Sequence, residues 1–567
     1  MTRRIWFPLL CLAATGAAFG QSDDEARRWA ASTLASLALR EKAAQMVVEQ
    51  IRGDYVAEDA EDFRYWSRLA SEYGIGGFVV YGGAPYETAQ LLNRLQRNAR
   101  IPILMAADFE GGPGQQFRGA SEFPANMALS ATSDERLAYE VGRVGALEGR
   151  AIGIHLTYSP SVDVQSSPDN PVLSVRSFGS DLDLLGRMAG AYIRGYQENG
   201  MLATAKHFPG RGDVGILEDE FLLNPKGAAR VEEEDLRAFR SAIESGVAFV
   251  MSEHIAIPAL TGGSDLPASV EPKLASRWLR EKLGFEGVLT TDDLWYAKVV
   301  KRFGAERAGV MAVQAGHDML LKPANAIATI DALVGAVERG EVPLSRIDAS
   351  VEKILYWKAR LGLHHDRFVD LERIASVVGA KEHRDLVREL AERSLTPLVN
   401  RGVFPTNREA LGRVVYLSLQ KTEGDPAPLA AAQKMGEGLS LSETFLLGPG
   451  VDPARYNAAR EAARNADTVV VGLFHQRNVY RDGGVLPARD LELLRSFEAG
   501  GVRTIVLSFG NPYLVRDLRF VSAFVVGYGE GGFYGNQLVY ADAFLRLLKG
   551  EIAATGRVPV AGLELPR

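Results

Sequence analysis

The feature that most constrains the fold of this chain is a repeated alternation of short apolar runs with amphipathic helical stretches. The runs lie between about residues 34 and 365 and include GIGGFVVYGG, IPILMAADFE, GIHLTYSPSVDV, MLATAKHF, AFVMSEH, GVLTTDDL and HDMLLKP. They are continuously apolar, as strands buried on both faces of a parallel sheet are. Strand–helix units repeated over this length predict an α/β fold of the TIM-like (β/α)8 barrel type.

A second alternation begins after about residue 405. Its runs are RVVYLSLQ, TVVVGLF, RTIVLSFGNP and AFVVGYG, which predict a smaller α/β sandwich with a mostly parallel sheet. A chain of 567 residues is also too long for one ordinary core. We therefore expect a barrel domain over residues 21–375, a connector over 376–404 and a C-terminal α/β sandwich domain over 405–567.

The first 20 residues differ from the rest of the chain. The stretch MTRRIWFPLLCLAATGAAFGQ has two arginines, an apolar run and then small residues, which is typical of a secretory signal peptide cleaved near Gly20. The apolar run is too short to be a stable membrane anchor. Cys11, the only cysteine, lies inside this segment, so the mature chain would have no disulfide. These features predict a periplasmic or secreted protein.

Ionisable residues end four of the predicted barrel strands. The run LMAADFE ends in carboxylates, LATAKH in Lys-His, VMSEH in Glu-His and LTTDD in two aspartates. Such residues at the carboxyl ends of barrel strands meet at one mouth, whereas helix capping would explain a single one of them. Asp292 at the end of its strand could act as a nucleophile, and Asp108 with Glu110 could bind hydroxyl groups.

Other classes of site have weaker support. The Asp, Glu and His residues show no tight metal-ligand spacing of the zinc type, and a lone Gly-rich turn is weak evidence for a phosphate loop. A net charge of -7 without a basic stripe argues against nucleic acid. We therefore expect no cofactor and a polyhydroxylated carbohydrate as the binding partner.

Several motifs together resemble glycoside hydrolase family 3, and most closely its bacterial β-N-acetylglucosaminidase branch. They are LREKAAQM, DFEGG, FPANMALSAT, YSPSVDVQSSPDNPVLSVRSFG, KHFPGRGD and GFEGVLTTDDL, with LSFGNPYLV and GEIAATGRVPV in the second half. The resemblance implies that Asp292 is the nucleophile of a retaining reaction with a covalent intermediate. It also implies that five residues bind the sugar of the first subsite, although His254 could instead be structural: Asp108, Arg176, Lys206, His207 and His254.

The acid/base motif of that branch is missing. The resemblance places an Asp-Ser-His triplet after the Gly-Asp of KHFPGRGD, but this chain has Glu218, Asp219 and Glu220 there, and Arg211 replaces a histidine. Glu220, or Glu218, could be the general acid, because adjacent carboxylates raise one another's pKa. The alternatives are a donor from the second domain, such as His475, or no donor at all.

The sequence thus predicts a retaining exo-β-glycosidase that hydrolyses β-linked N-acetylglucosaminides or glucosides. Two alternatives stay open at this point. One is a catalytically weak or inactive glycan-binding protein, and the other is a β-glucosidase whose acid comes from the C-terminal domain. The sequence does not fix the oligomeric state.

Overall fold

The computed structural model of the protein describes residues 22–168, 170, 172–214, 221–475, 485–529 and 537–563. The predicted signal peptide and the predicted acid Glu220 lie outside these ranges. Within them, no helix combines the length and the apolar character needed to cross a bilayer.

The first part of the chain forms a ring of parallel strands. Its strands in chain order are β1 (Val47–Arg52), β2 (Gly77–Tyr81), β3 (Leu104–Ala107), β4 (Leu156–Thr157), β5 (Thr204–Phe208), β6 (Leu222–Leu223), β7 (Phe249–Ser252), β8 (Ile255–Ala256), β9 (Val288–Thr291) and β10 (Leu320–Leu321). One sheet has the order β10-β1-β2-β3-β4, another has the order β5-β7-β9, and β6 pairs with β8 outside them. Parallel bridges Leu156–Leu202 and Thr290–Met319 join the two sheets at both seams, which closes the predicted barrel.

Helices surround this ring. They are α1 (Asp23–Ser36), α2 (Leu39–Gln45), α3 (Glu61–Arg68), α4 (Pro85–Asn98), α5 (Asn126–Thr132), α6 (Glu135–Ile152), α7 (Leu182–Gln197), α8 (Ala228–Arg230), α9 (Leu236–Glu244), α10 (Pro258–Thr261), α11 (Ala297–Phe303), α12 (Ala305–Ala315), α13 (Ala326–Glu338) and α14 (Leu344–Arg360). Asp134 and Asp181 cap α6 and α7 by accepting hydrogen bonds from first-turn amides. Because helices cover the outer face, every residue of β3, β5, β7 and β9 is buried, which explains the uninterrupted apolar runs.

The second part of the chain forms a separate sheet with helices on its faces. Two helices lead into it: α15 (Leu371–Val377), which packs against α4 and α6 of the barrel, and α16 (Lys381–Ser394). Its own elements are β11 (Thr396–Asn400), α17 (Arg408–Leu411), β12 (Val414–Gln420), α18 (Pro426–Gly438), β13 (Leu441–Leu447), α19 (Pro453–Arg464), β14 (Thr468–Phe474), α20 (Ala488–Ala499), β15 (Arg503–Ser508), β16 (Ala523–Val526) and α21 (Gln537–Leu548). The order is β11-β16-β15-β14-β12-β13, and only β11 pairs antiparallel among these strands. The predicted α/β sandwich with a mostly parallel sheet is confirmed.

The junction between the two parts involves residues that we assign to the connector. β11 lies within 376–404 and pairs with β16 of the second sheet. The chain returns to the barrel near its C-terminal end, where the Arg557 amide donates to the Ala131 carbonyl at 2.8 Å and the Ser180 amide donates to the Pro559 carbonyl at 3.0 Å. The boundaries at 375 and 404 stay predictions.

Candidate active site

Charged side chains gather where the barrel strands end. Asp108 follows β3, Lys206 and His207 belong to the end of β5, His254 follows β7 and Asp292 follows β9. The carboxyl ends of parallel barrel strands open onto one face of the barrel. The structure therefore brings these five residues to the same mouth.

A short Gly-rich turn directs the chain after β3. Gly112 has φ 79° and ψ -178°, and its amide donates to the Phe109 carbonyl at 3.0 Å. A Cβ atom at this position would lie 2.7 Å from the ring of Phe123. Only glycine suits this backbone, and the turn places Asp108 and Glu110 on the mouth side of β3.

Four charged residues form a connected cluster, which we call the four-charge cluster: Asp108, Glu110, Arg176 and Lys206. Arg176 donates from Nε and Nη2 to the two carboxylate oxygens of Glu110, at 2.8 and 2.7 Å. The Lys206 ammonium lies 2.6 Å from Glu110 and 2.9 Å from Asp108. Asp108 has the most exposed side chain of the four, at 15%. It can therefore accept hydrogen bonds from a ligand while Glu110 holds the two cations.

Charge balance keeps the four-charge cluster ionised. Burial opposes the charge on Glu110, but Arg176 and Lys206 outweigh it and hold the pKa of Glu110 well below its ordinary value. Burial likewise opposes the charge on Lys206, but Asp108 and Glu110 raise its pKa. The two cations and the two carboxylates stabilise one another, as buried ion pairs with complete hydrogen bonding do.

Asp292 has the environment expected of an ionised nucleophile. Its side chain is 22% exposed, and its Oδ2 lies 3.3 Å from Nη2 of Arg211. Its Oδ1 accepts a hydrogen bond from the Asp293 amide at 2.7 Å. Burial raises the pKa of Asp292, but the charge of Arg211 outweighs it, and the hydrogen bond from the Asp293 amide acts in the same direction, so the pKa lies below the ordinary value. The carboxylate is thus both charged and open to the mouth.

His207 is fixed by a buried carboxylate. The register of β5 against β7 shifts between Lys206 and Phe208, leaving His207 as an extra residue, and such bulges redirect side chains. His207 Nδ1 donates to Oδ2 of Asp163 at 2.7 Å, and its amide donates to the same oxygen at 3.2 Å. Burial lowers the pKa of His207 well below its usual range, so the ring is neutral. One of its nitrogens lies within 4.8 Å of a carboxylate oxygen of Asp292.

His254 contacts the protein through both ring nitrogens. Nε2 donates to the Asp293 carbonyl at 3.0 Å, and Nδ1 lies 2.8 Å from the Ser269 hydroxyl. The ring stacks against Tyr296 at a centroid distance of 5.8 Å. These contacts brace the backbone next to Asp292. Binding of a sugar by His254 stays a prediction.

An aromatic and cationic rim lies beside Asp292. Lys322 Nζ contacts Asp293 Oδ2 at 2.7 Å, and the Trp295 indole N–H donates to the same oxygen at 3.1 Å. Lys322 also lies 4.7 Å from the centre of the Tyr81 ring. Burial and the charge of Asp292 raise the pKa of Asp293. Trp295 is 55% exposed, which leaves an apolar face open at the mouth.

The remaining sequence-based candidates have different outcomes. Glu218 and Glu220 lie outside the described residues. His475 follows β14 and is buried in the second domain, where Nε2 lies 3.4 Å from Asp490. Asp163 and Glu253 were not among the predicted site residues, although both belong to motifs that end barrel strands.

Comparison with known proteins finds relatives that span nearly the whole chain. A β-N-acetylglucosaminidase/β-glucosidase from Cellulomonas fimi is 28% identical over 564 residues, covering 95% of this chain and 96% of the relative. The solved family 3 β-N-acetylglucosaminidase from Paenibacillus sp. str. FPU-7 has a TM-score of 0.80 and 29% identity, covering 94% of this chain and all of that chain. The β-glucoside phosphorylase BglX has a TM-score of 0.82 and 25% identity, covering 94% and 96%.

The barrel also matches a family description. The Glycosyl hydrolase family 3 N terminal domain matches residues 38–356, which run from the start of α2 to the last turn of α14. The resemblance that the motifs indicate is therefore confirmed. The chain belongs to glycoside hydrolase family 3.

Proposed function

We propose that this chain is a retaining exo-β-glycosidase that removes a terminal N-acetylglucosaminyl or glucosyl residue from a β-linked substrate. The observation that carries the proposal is Asp292, an ionised, partly exposed carboxylate at the mouth of a family 3 barrel. The relatives from Cellulomonas fimi and Paenibacillus support the choice of sugar. The four-charge cluster offers acceptors and donors for its hydroxyl groups.

The proposed reaction has two steps. An oxygen of Asp292 attacks the anomeric carbon, the bond to the leaving-group oxygen breaks, and a general acid protonates that oxygen. Water then attacks the same carbon as the general base removes its proton, which releases the sugar with retained configuration and frees Asp292. Asp108 and Lys206 hold the sugar while His207 and Arg211 fix the surroundings of the nucleophile.

The test is a panel of 4-nitrophenyl β-glycosides incubated with the purified chain. We expect release of 4-nitrophenol from the N-acetylglucosaminide, the glucoside or both. Parallel reactions with inorganic phosphate identify the acceptor, because a glycosyl phosphate product would assign phosphorolysis rather than hydrolysis. Absence of release from every sugar would contradict the proposal and favour a glycan-binding protein.

The pH dependence follows from the depressed pKa of Asp292. With a good leaving group we expect kcat/KM to stay level from about pH 7 to about pH 4 and to fall only below about pH 3, because the pKa of Asp292 is lowered to about 2. Ionised Asp292 also stabilises the folded state. This stabilisation is present above the pKa of Asp292 in the unfolded chain and is lost as the pH falls through its lower pKa in the folded chain. An acid limb near pH 6 in the pH profile of 4-nitrophenyl substrates would contradict this assignment.

We propose Glu220 as the general acid. Glu220→Ala should lower kcat/KM about 10²- to 10⁴-fold for alkyl glycosides, whose leaving groups need a proton, and about tenfold or less for 4-nitrophenyl glycosides. Glu218→Ala is the matched control two residues away. An equal loss on both classes of substrate would remove Glu220 from this role, and the stronger effect in Glu218→Ala would transfer the role to Glu218.

We also propose that the protein is exported to the periplasm or secreted, on the basis of its N-terminal tripartite pattern. N-terminal sequencing of the protein recovered from an osmotic-shock fraction should begin near Gln21. Recovery only in the cytosolic fraction with Met1 retained would contradict this.

A further inference from the structure

An ion pair lies directly beside the nucleophile, and its glutamate, Glu253, has no part in the proposed reaction. Arg211 and Glu253 contact each other, with side chains 3% and 5% exposed. The nitrogen of Arg211 that contacts Glu253, Nη2, is also the one that lies 3.3 Å from Asp292 Oδ2. One guanidinium therefore serves two carboxylates.

The backbone holds both members of the pair in place. The Arg211 amide donates to Asp163 Oδ1 at 2.8 Å. The Glu253 amide donates to the Phe208 carbonyl at 2.9 Å, and Glu253 Oε1 accepts from the His254 amide at 2.7 Å. Because the backbones of both residues are fixed, the Arg211 guanidinium lies between two carboxylates, that of buried Glu253 and that of partly exposed Asp292.

Two carboxylates at this distance need a cation between them. An oxygen of Glu253 and an oxygen of Asp292 lie within 4.8 Å of each other. Without Arg211, repulsion in a buried site would force one of the two to take up a proton. With Arg211 held by Glu253, the contact to Asp292 stays at 3.3 Å, longer than the roughly 2.7–2.9 Å of a full charge-assisted bond. Asp292 thus keeps its charge without being tied to the guanidinium.

The other titratable groups around Asp292 do not replace Arg211. Burial lowers the pKa of His207 and of His254, so both rings are neutral near pH 7. Lys322 pairs with Asp293 rather than with Asp292. Further groups that interact with Asp292 are two tyrosines of raised pKa and the neighbouring carboxyl: Tyr158, Tyr296 and Asp293. Among the described residues, Arg211 is the cation in direct contact with the nucleophile.

We propose that Arg211 and Glu253 form a positioning pair for the nucleophile, in which Glu253 holds Arg211 so that the guanidinium keeps Asp292 ionised but free to attack. This inference rests on the proposed role of Asp292. Neither residue contacts the sugar in this scheme, so both act through Asp292. Arg211 stands where the motif of the family branch has a histidine. In this chain, the pair of Arg211 with Glu253 therefore sets the charge of the nucleophile.

The test is a set of charge-changing variants, read by the pH profile of kcat/KM on a 4-nitrophenyl glycoside. Arg211→Gln should move the acid limb upward by at least about one pH unit, because Asp292 and Glu253 then share a proton. Glu253→Gln should leave the limb in place or lower it, and should reduce kcat about tenfold as Arg211 moves onto Asp292. The double variant should reverse more than half of the upward shift, and Arg211→Lys should keep the limb near its original position.

A second readout does not require activity. Arg211→Gln should have a melting temperature that is depressed more at pH 8 than at pH 5, since a carboxyl pair of raised pKa stabilises the fold below its unfolded pKa and loses this contribution as pH rises. Arg280→Gln is the control, because Arg280 pairs at 2.7 Å with buried Asp318 at the opposite end of the barrel strands. It should lower stability without moving the acid limb.

The outcomes separate the two proposals. If the acid limbs of all variants coincide and the loss of stability does not depend on pH, the proposal of a positioning pair is wrong. Arg211 and Glu253 would then form a purely structural ion pair. An inactive wild-type chain would overturn the proposed glycosidase function, while the melting temperatures at pH 5 and pH 8 would still decide whether Arg211 neutralises the two carboxylates.

Discussion

Asp292→Ala is expected to lower kcat/KM for 4-nitrophenyl β-glycosides by at least about 10⁴-fold, because the covalent step then loses the carboxylate that attacks the anomeric carbon. The mouth around Asp292 is held by contacts of other residues, including the pair of His207 with Asp163 and the four-charge cluster. The folded state and the binding of the sugar should therefore persist. Steady-state kinetics and binding of the released monosaccharide by calorimetry measure the two effects separately.

An external anion provides the positive control for this variant. Azide can enter the space left by the missing carboxylate and attack the anomeric carbon from the same side, giving a glycosyl azide of inverted configuration. The matched control is Asp265→Asn, which removes a carboxylate that is 80% exposed and paired with Arg302. If Asp292→Ala retained activity within tenfold of the wild type, the nucleophile would have to be another residue.

The second large effect is on stability. Glu110→Ala removes the carboxylate that contacts both Arg176 and Lys206, so that two buried cations lose the partner they share. Breaking a buried pair by deleting one partner typically costs about 3–5 kcal/mol. We expect a loss of this size in the free energy of unfolding of the barrel, measured by urea denaturation at pH 7.

A surface ion pair of similar length calibrates this loss. Glu135 and Arg187 lie 2.9 Å apart with side chains 47% and 55% exposed. Glu135→Ala should change the free energy of unfolding by about 1 kcal/mol or less, because water screens exposed pairs. Comparable losses in the two variants would show that the four-charge cluster is not a structural centre of the mouth.

The barrel could be predicted because its strands are buried on both faces. The segments that form β3, β5, β7 and β9 are short, are buried at every residue and are separated by helical stretches. β13 (Leu441–Leu447) was not predicted, because it lies at the edge of the second sheet and exposes three consecutive polar residues, Ser442 to Thr444. Edge strands bear polar residues, so their periodicity is weak.

The site could be predicted only one residue at a time. The strand-end rule located Asp108, Lys206, His207 and Asp292 without indicating which groups pair. Arg176 and Glu110 are 66 positions apart, and the contact of Arg211 with Glu253 likewise depends on how β5 and β7 align. The sequence alone does not indicate that Arg211, which replaces a histidine, and Glu253, which lies at the end of a strand, contact each other.

The return of the chain to the barrel has a consequence for dissecting the protein. Residues 556–561 bond to Leu395 near the start of the second sheet and to Ala131 and Ser180 of the barrel. If a protease cleaved the chain only between α14 and α15, the hydrogen bonds of residues 556–561 would still connect the two fragments. We expect the two pieces to migrate as one particle in gel filtration and to separate only under denaturing conditions.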